Sequence, residues 1–319
     1  MEAVTDSLTT QHAIGTPAPG GSRLGAHFAL LFMTVIWAVN FSVTKLALSE
    51  LTPLAFNALR FMLASAVVYV ALRRRGRVPL PAREDIAAIV GLGLLGNGIY
   101  QMLFILGIDR TGAGTASLLL AGSPLITALL SALLGHERVR PRVWFGVCGT
   151  LLGISLVVGF GSATASSPST LGGNLLLIGA TIAWSTYTVG SRPFIAKYGS
   201  VPVTAWTLWM GTPFIVLIGV RDLTKIAAAN ITPGMWLAVL YGGVLSIGIA
   251  YLIWYYGVSV LGNTRTSVYS NLTPALAMLV AWLWLGEVPS AGQLAGAAII
   301  VGGVTLAQSR GRAAAPTTS

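Results

Sequence analysis

The sequence has very little charge for its length. Only 9% of its 319 residues are Asp, Glu, Lys or Arg, whereas about a quarter of a typical soluble domain is charged. Hydrophobic residues make up 55% of the chain, and the mean hydropathy is +0.79. This composition excludes a soluble globular protein. The apolar stretches run for about twenty residues without polar alternation, so they predict membrane-spanning helices and not the strands of a barrel.

Residues that serve disulfides, metal sites and catalysis are also scarce. Cys148 is the only cysteine, so no disulfide framework or cysteine metal cluster is expected. His12, His27 and His136 lack metal-ligand spacing. The sequence contains no P-loop, H-E-x-x-H or G-x-S-x-G motif. It therefore predicts no cofactor, no metal site and no enzyme, with an intramembrane enzyme or a sensor as remote alternatives.

What the chain does contain is an internal duplication. Residues 93–156 align with 243–306 without a gap, and the alignment pairs Pro124 with Pro274 and Glu137 with Glu287. Six glycine pairs also coincide: Gly93 and Gly243, Gly98 and Gly248, Gly107 and Gly257, Gly112 and Gly262, Gly146 and Gly296, Gly153 and Gly303. A shared apolar bias would align leucines by accident, but not this set. The pattern indicates two copies of one unit.

The apolar stretches predict ten spans, five in each copy. We expect them at 26–46, 53–72, 84–107, 111–134 and 141–160, then at 171–196, 201–221, 233–257, 264–285 and 289–308. The predicted organisation is a disordered cytoplasmic tail (1–25), a first repeat (26–160), an external linker (161–170), a second repeat (171–308) and a cytoplasmic tail (309–319). The fold class is therefore an all-α membrane protein.

Lysine and arginine fall mostly in the loops of one predicted side, as in the run Arg73–Arg75 and the loop around Arg138. The positive-inside rule then places both termini in the cytoplasm. This distribution also explains the net charge of +10 by contact with lipid headgroups, so no nucleic-acid partner is expected. Five spans per copy is an odd number, so the second copy must be inverted relative to the first.

Two inverted five-helix repeats around a central cavity are typical of alternating-access transporters, because the two halves provide inward-open and outward-open states of similar energy. The sequence therefore predicts a secondary transporter with a small-molecule substrate. A monomer would suffice for this mechanism.

Several motifs carry a resemblance to a known family. They are Trp37-Ala-Val-Asn-Phe41, Leu59-Arg60-Phe61, the segment from Gly107 through Pro124 to Glu137, and its copy ending in Leu285-Gly286-Glu287. Over residues 26–308 the chain resembles the EamA-type tandem repeats of the drug/metabolite transporter superfamily, and within it the bacterial aromatic amino-acid exporters (YddG-like). The resemblance implies a basket of ten helices and efflux of amino acids. Relatives that carry sugars, nucleotide sugars or drugs keep those substrates open as alternatives.

Candidate substrate-binding residues are polar or aromatic groups near the middle of spans, where hydrocarbon forces them towards partners or a wet cavity. They are Trp37, Asn40, Arg60, Asn97, Tyr100, Gln101, Trp184, Tyr187, Tyr251, Tyr269 and Asn271. Interhelical hydrogen bonding is the alternative for each. Trp37 and Trp184 occupy matching depths in the first span of each copy, which favours two walls of one site. Other aromatics near span ends, Trp254 and Trp282 among them, are assigned to the membrane interface.

Arg60 lies about 10 Å into the second span and could hold a substrate carboxylate. Alternatively, it reaches back towards the interface or binds carbonyls of a neighbouring helix. Lys45 is interpreted as an interfacial anchor. Pro124 and Pro274 interrupt helices at equivalent points, so they are either mirror-related hinges or static kinks.

All nine acidic residues lie in tails, loops or span ends: Glu2, Asp6, Glu50, Glu84, Asp85, Asp109, Glu137, Asp222 and Glu287. A multidrug cation exporter commonly needs a buried carboxylate, so this distribution favours a neutral or zwitterionic solute. It also favours a facilitator over a proton-coupled carrier.

Overall fold

The computed structural model describes residues 23–75, 80–133, 141–160, 170–226, 232–261, 266 and 269–308. Every regular element within these residues is helical. Six helical stretches are long and apolar enough to cross a membrane, which confirms an all-helical membrane protein. Glu137, Arg138 and most of the predicted tails and linker lie outside the described residues.

In the first half, two long helices are followed by a series of shorter segments. They are α1 Arg23–Ala47, α2 Pro53–Arg75, α3 Ile86–Gly93, α4 Tyr100–Asp109, α5 Ala113–Leu120, α6 Ser123–Leu133 and α7 Pro141–Gly159. A 3-10 turn, Arg83–Asp85, precedes α3. The stretch Arg83–Asp109 is one continuous span, because a π-helical segment, Leu94–Ile99, joins α3 to α4.

The second half follows the same order. Its helices are α8 Leu171–Gly190, α9 Arg192–Tyr198, α10 Ser200–Leu223, α11 Pro233–Leu240, α12 Ala250–Leu261, α13 Thr273–Leu285 and α14 Ala291–Gln308. A second π-helical segment, Tyr241–Ile249, joins α11 to α12 at the place that corresponds to the first one. Short π-helical segments inside α-helices are frequent at functional sites.

The contacts between helices are exchanged between the two halves. Helix α4 packs on α8, and its counterpart α12 packs on α1. Helices that correspond to each other, α2 with α10 and α7 with α14, pack together directly. Each repeat therefore completes its packing on the other.

Glycines show the same exchange at atomic detail. The spacing that relates Trp37 to Trp184 also relates Arg60 to Thr207. A Cβ atom at Gly243 would lie 2.7 Å from the Arg60 carbonyl oxygen, and one at Gly93 would lie 2.7 Å from the Thr207 carbonyl oxygen. Only glycine permits the end of α3 to approach α10, and the second π segment to approach α2, this closely.

A further glycine pair lies between the last helices of the two repeats. A Cβ at Gly153 would lie 2.8 Å from the carbonyl oxygen of Gly296, and one at Gly303 would lie 2.9 Å from that of Gly146. Since Gly146 corresponds to Gly296 and Gly153 to Gly303, the two contacts are one contact with the halves interchanged. The duplication in the sequence is thus also present in the packing.

Polar contacts at the helix ends follow the same rule. Thr232 donates from its backbone N–H (3.1 Å) and its hydroxyl (2.9 Å) to the Glu50 carboxylate. Lys197, which corresponds to Glu50 by the spacing that relates Trp37 to Trp184, donates to Asp85 near the start of α3 over 2.7 Å. The hydrogen bond to Asp85 raises the pKa of Lys197. Each contact joins the segment that follows the first helix of one repeat to the start of a later span in the other repeat.

Candidate functional site

Arg60 is buried within the helix bundle. Its side chain is 1% exposed, so it does not reach back to the membrane interface. Helix α2 places Asn57 one turn before it, and the Arg60 Nε–H donates to Asn57 Oδ1 over 2.9 Å. Arg60 Nη2 donates to Gln101 Oε1 over 2.5 Å. The partners are side-chain amides from α2 and α4, so the structure brings the predicted residues Arg60 and Gln101 together.

Three phenyl rings surround the Arg60 guanidinium. Its Cζ lies 5.4 Å from the centroid of Phe56, 5.7 Å from Phe61 and 5.5 Å from Phe104. Aromatic faces attract cations at these distances. The ion pairs among the described residues involve Lys197 and Lys225, and none of them includes Arg60. Amides and rings therefore hold this cation without a carboxylate from the described chain.

A group of aromatic side chains from both repeats continues from Phe104. Tyr100 lies 6.1 Å from Phe104 between ring centroids, Trp184 lies 5.0 Å from Tyr100, and Tyr187 lies 5.3 Å from Trp184. The Tyr187 hydroxyl is 3.1 Å from Thr207 Oγ1. The predicted residues Tyr100, Trp184 and Tyr187 thus form one cluster, with Trp184 half-buried.

Trp37 belongs to a second aromatic group. Its indole N–H donates to the Ser246 carbonyl over 3.0 Å, within the second π segment. The Tyr251 ring meets it edge-on at 6.5 Å, and Trp254 packs on it at 5.7 Å. Trp254, which the sequence assigns to the membrane interface, is half-buried and turns its ring onto α1.

Other predicted residues lie outside these contacts. Asn97 is buried in the first π segment, and it packs closely on α10: a Cβ atom at Gly211 would lie 2.6 Å from the Asn97 Cβ. Asn40 is 8% exposed, and its Oδ1 lacks a hydrogen-bond donor among the described residues. Tyr269 contacts the His27 ring through its hydroxyl. Asn271 is half-buried in the turn before α13.

The two candidate hinge prolines occupy equivalent places. Pro124 is the second residue of α6, directly after the turn 121–122 that ends α5. Pro274 is the second residue of α13, directly after the turn 271–272. The first turn of a helix tolerates proline because its N–H has no partner there. The prolines follow interruptions of the helices, and their role as hinges stays a prediction.

Several residues around Arg60 were not found from the sequence. Asn57 belongs to no sequence motif. Its spacing of three residues from Arg60, which puts both on one helix face, is the signal that could have identified it. Phe104 and Thr207 belong to no sequence motif. The signal for Phe104 is its helical spacing alone, and the signal for Thr207 is its correspondence to Arg60 in the other repeat. Within the described residues, no group of three or more His, Cys, Asp or Glu side chains could hold a metal ion.

Comparison with known proteins agrees with this architecture. The profile of the EamA-like transporter family matches residues 24–159 and again 171–308. The chain is 34% identical to "Uncharacterized transporter YdfC" of Bacillus subtilis, over 85% of this chain and 87% of that protein. It is 29% identical to a "Probable terminal-alkyne amino-acid exporter" of Streptantibioticus cattleyicolor, over 89% of this chain and 94% of that protein.

A solved crystal structure shares the fold. It is 25% identical to this chain, with a TM-score of 0.62, and the match covers 90% of this chain and 97% of the other. The family profile matches both halves separately, in agreement with the duplicated sequence. The protein belongs to the EamA-like transporter family, whose members cross the membrane several times.

Proposed function

We propose that the protein is a secondary transporter that exports small neutral or zwitterionic metabolites, with amino acids, aromatic ones above all, as its substrates. In this proposal ten helices form two inverted five-helix repeats around a central cavity, with both termini on the cytoplasmic side of a bacterial inner membrane. The observation that carries the proposal is the exchange of contacts between the repeats.

Exchanged contacts favour alternating access for a physical reason. If opening one side breaks a set of contacts in one repeat, opening the other side breaks the equivalent set in the other repeat. Gly93 against α10 and Gly243 against α2 form such a set. The two open states then have similar energies, which a carrier needs in order to expose one site to each side in turn.

The residues around the middle of the bundle support an amino-acid-like substrate. Tyr100, Trp184 and Trp37 offer aromatic faces, and Arg60 offers a buried cation. A site of this composition suits a small solute with an apolar body and a negatively charged end. The name of the relative from Streptantibioticus cattleyicolor, an amino-acid exporter, points the same way.

A multidrug exporter, or a carrier of sugars, nucleotide sugars or drugs, is the second candidate. The described acidic residues lie at helix ends, with Glu50 near the end of α1 and Glu287 after α13. A hydrophobic cation would therefore meet Arg60 without a carboxylate partner near the middle of the bundle, which disfavours this candidate on charge grounds.

An export screen tests the proposed function. Cells that express the protein are loaded in turn with each of the twenty amino acids and with cationic dyes, and the medium is assayed over time. We expect faster efflux of Phe, Tyr and Trp than from cells that carry an Arg60→Met variant at equal expression. Unchanged amino-acid efflux together with faster dye efflux would reverse the ranking of the two candidates.

A further inference from the structure

We infer that Arg60 and Asn57 together form the binding site for a carboxylate group of the transported solute, and that Gln101 is a positioning residue for Arg60. The inference rests on the proposed function, because it assigns the substrate class of that transporter. It adds Asn57, and it excludes solutes that carry positive charge alone.

The orientation of the Asn57 amide is fixed by chemistry. Arg60 Nε can only donate, so the atom of Asn57 that faces it at 2.9 Å must be the amide oxygen. The amide nitrogen, Nδ2, is then the donor of this side chain and is not used by the guanidinium. Asn57 is fully buried, and Nδ2 has no hydrogen-bond acceptor among the described residues. A buried donor without a partner destabilises the structure, so this group favours any ligand that supplies an acceptor.

The site has more donors than acceptors. A guanidinium group carries five N–H donors, and the bonds to Asn57 and Gln101 use Nε and one N–H of Nη2. Among the described residues, those two amide oxygens are the side-chain acceptors that bond the guanidinium. Three N–H groups of the guanidinium remain outside these two bonds, and the buried Asn57 Nδ2 requires an acceptor. A carboxylate is an acceptor-only group with two oxygens, and it fits this need better than an amine, an amide or an aromatic ring.

The charge of the site leads to the same class of solute. A buried cation without an anionic partner is costly in a low-dielectric region. The rings of Phe56, Phe61 and Phe104 reduce this cost but leave the net charge at the centre positive. An arriving carboxylate neutralises it, whereas an arriving ammonium or cationic dye is repelled. The selectivity therefore operates against the solutes of a multidrug cation exporter.

The second repeat does not duplicate this cation. Thr207 stands where α2 has Arg60, and its hydroxyl contacts Tyr187. Tyr251 stands where α4 has Gln101. One side of the centre is therefore charged while the other is neutral and aromatic. A zwitterion would bind with its carboxylate towards α2 and its apolar part towards Tyr100 and Trp184.

The decisive variant is Asn57→Asp, which is nearly isosteric. The new carboxylate would accept from Arg60 Nε, neutralise the guanidinium and repel a substrate carboxylate, while Arg60 stays in place. Gln101→Glu makes the equivalent change at Nη2 and serves if the first variant does not fold. The matched control is Asn174→Asp, because Asn174 is also buried but accepts from Thr111 near the start of α8, outside the Arg60 site.

The experiment is a thermal-stability titration of purified protein in detergent. The probes are L-phenylalanine, phenyllactate, 3-phenylpropionate, L-phenylalaninamide and phenethylamine, which differ in whether they carry a carboxylate. We expect the wild type to bind the three acids at least about tenfold more tightly than the amide and the amine, since the amide and the amine cannot form the charge-assisted hydrogen bond. Asn57→Asp should lose this preference, and Asn174→Asp should keep it.

Each outcome decides between the possibilities. Equal binding of L-phenylalanine and its amide by the wild type overturns the inference, as does unchanged acid preference in Asn57→Asp. A wild type stabilised by none of the three acids also overturns it. Binding of phenyllactate and phenylpropionate without L-phenylalanine supports the carboxylate site but contradicts amino acids as substrates, so the two proposals can fail separately.

Discussion

The carboxylate of Glu287 lies so close to Gly112 that a Cβ atom at position 112 would be 2.9 Å from Glu287 Oε2. The two carboxylate oxygens accept from the backbone N–H groups of Ala113 (3.0 Å) and Gly114 (3.1 Å), in the first turn of α5. A negative charge at a helix N-terminus is stabilised by the helix dipole. Glu287, from the second repeat, thus caps a helix of the first.

Replacing either partner should destabilise this junction. Glu287→Gln keeps one acceptor oxygen but loses the charge, and Gly112→Ala forces the carboxylate away. We expect each variant to lower the free energy of unfolding by about 2 kcal/mol, the scale of a hydrogen bond to a charged group. Thermal unfolding in detergent measures the loss. Glu84→Gln is the control, since that side chain is 76% exposed; an equal loss there would contradict the capping role.

The exchanged glycine contacts give a second prediction. In Gly93→Ala and Gly243→Ala the new methyl group would meet the backbone carbonyl of Thr207 or Arg60, which has little freedom to move. We expect both variants to be destabilised to a similar extent, about 1–3 kcal/mol. Gly91→Ala should be neutral, because nothing lies within 4 Å of a Cβ there. A large difference between the two equivalent variants would argue against equivalent packing of the repeats.

The topology of the chain is a third prediction. A reporter fused after Arg312 should be cytoplasmic, and one inserted within residues 162–170 should be external. The reason is the concentration of basic residues in the loops of one side. Paired alkaline phosphatase and fluorescent-protein fusions measure this. An external C-terminus would remove the odd number of spans per repeat, and with it the inverted arrangement.

The sequence contained enough information for the helical membrane architecture and its duplication, because these signals are long or repeated. A duplicated set of glycines and apolar stretches of membrane length need no knowledge of contacts, and the described helices and the two family matches confirm the duplicated helical architecture. Hydropathy, however, records only how apolar a stretch is. It could not show that the Trp254 ring turns towards Trp37, since rotation about a helix axis is set by packing.

The candidate site was predictable in its charged and aromatic members and not in their partners. An arginine inside an apolar span stands out in any sequence, and so does a tryptophan at matching depth in both repeats. Asn57 does not stand out, and its role depends on the rotamer that brings Oδ1 to Arg60 Nε. The cap that Glu287 provides joins residues far apart in the chain, so only the folded structure reveals it.

The aromatic groups lead to a fourth prediction. Trp37→Ala and Trp184→Ala should each reduce transport several-fold without loss of folded protein, because each removes a stacking surface beside Tyr251 or Tyr100. Trp282→Ala should matter less, since Trp282 is 49% exposed on the outside of the bundle. Transport rates are compared at equal amounts of purified protein. Equal losses from all three variants would favour a packing role over a substrate-binding one.

The last prediction concerns energy coupling. A proton-coupled carrier needs a group that titrates at working pH and is reached from each side in turn, usually an Asp, Glu or His near the middle of the membrane. In the described chain, Asp109 ends α4, Glu287 follows α13 and His27 lies near the start of α1. Arginine stays protonated at any relevant pH, so Arg60 cannot serve as the proton carrier. We therefore expect a facilitator that moves solute down its own gradient.

Purified protein in liposomes tests this expectation. With a substrate gradient and equal pH on both sides, downhill flux should persist, and it should be unchanged when a protonophore is added. A pH step alone should not concentrate substrate, because no proton is carried with it. Liposomes containing the Asn57→Asp variant control for leak, since its acid transport should be impaired while the membrane is the same. Concentrative uptake driven by an imposed proton gradient would contradict the facilitator mechanism. It would direct attention to Lys45, whose Nζ donates to the carbonyls of Ile108 (3.0 Å) and Asp109 (2.9 Å) at the end of α4.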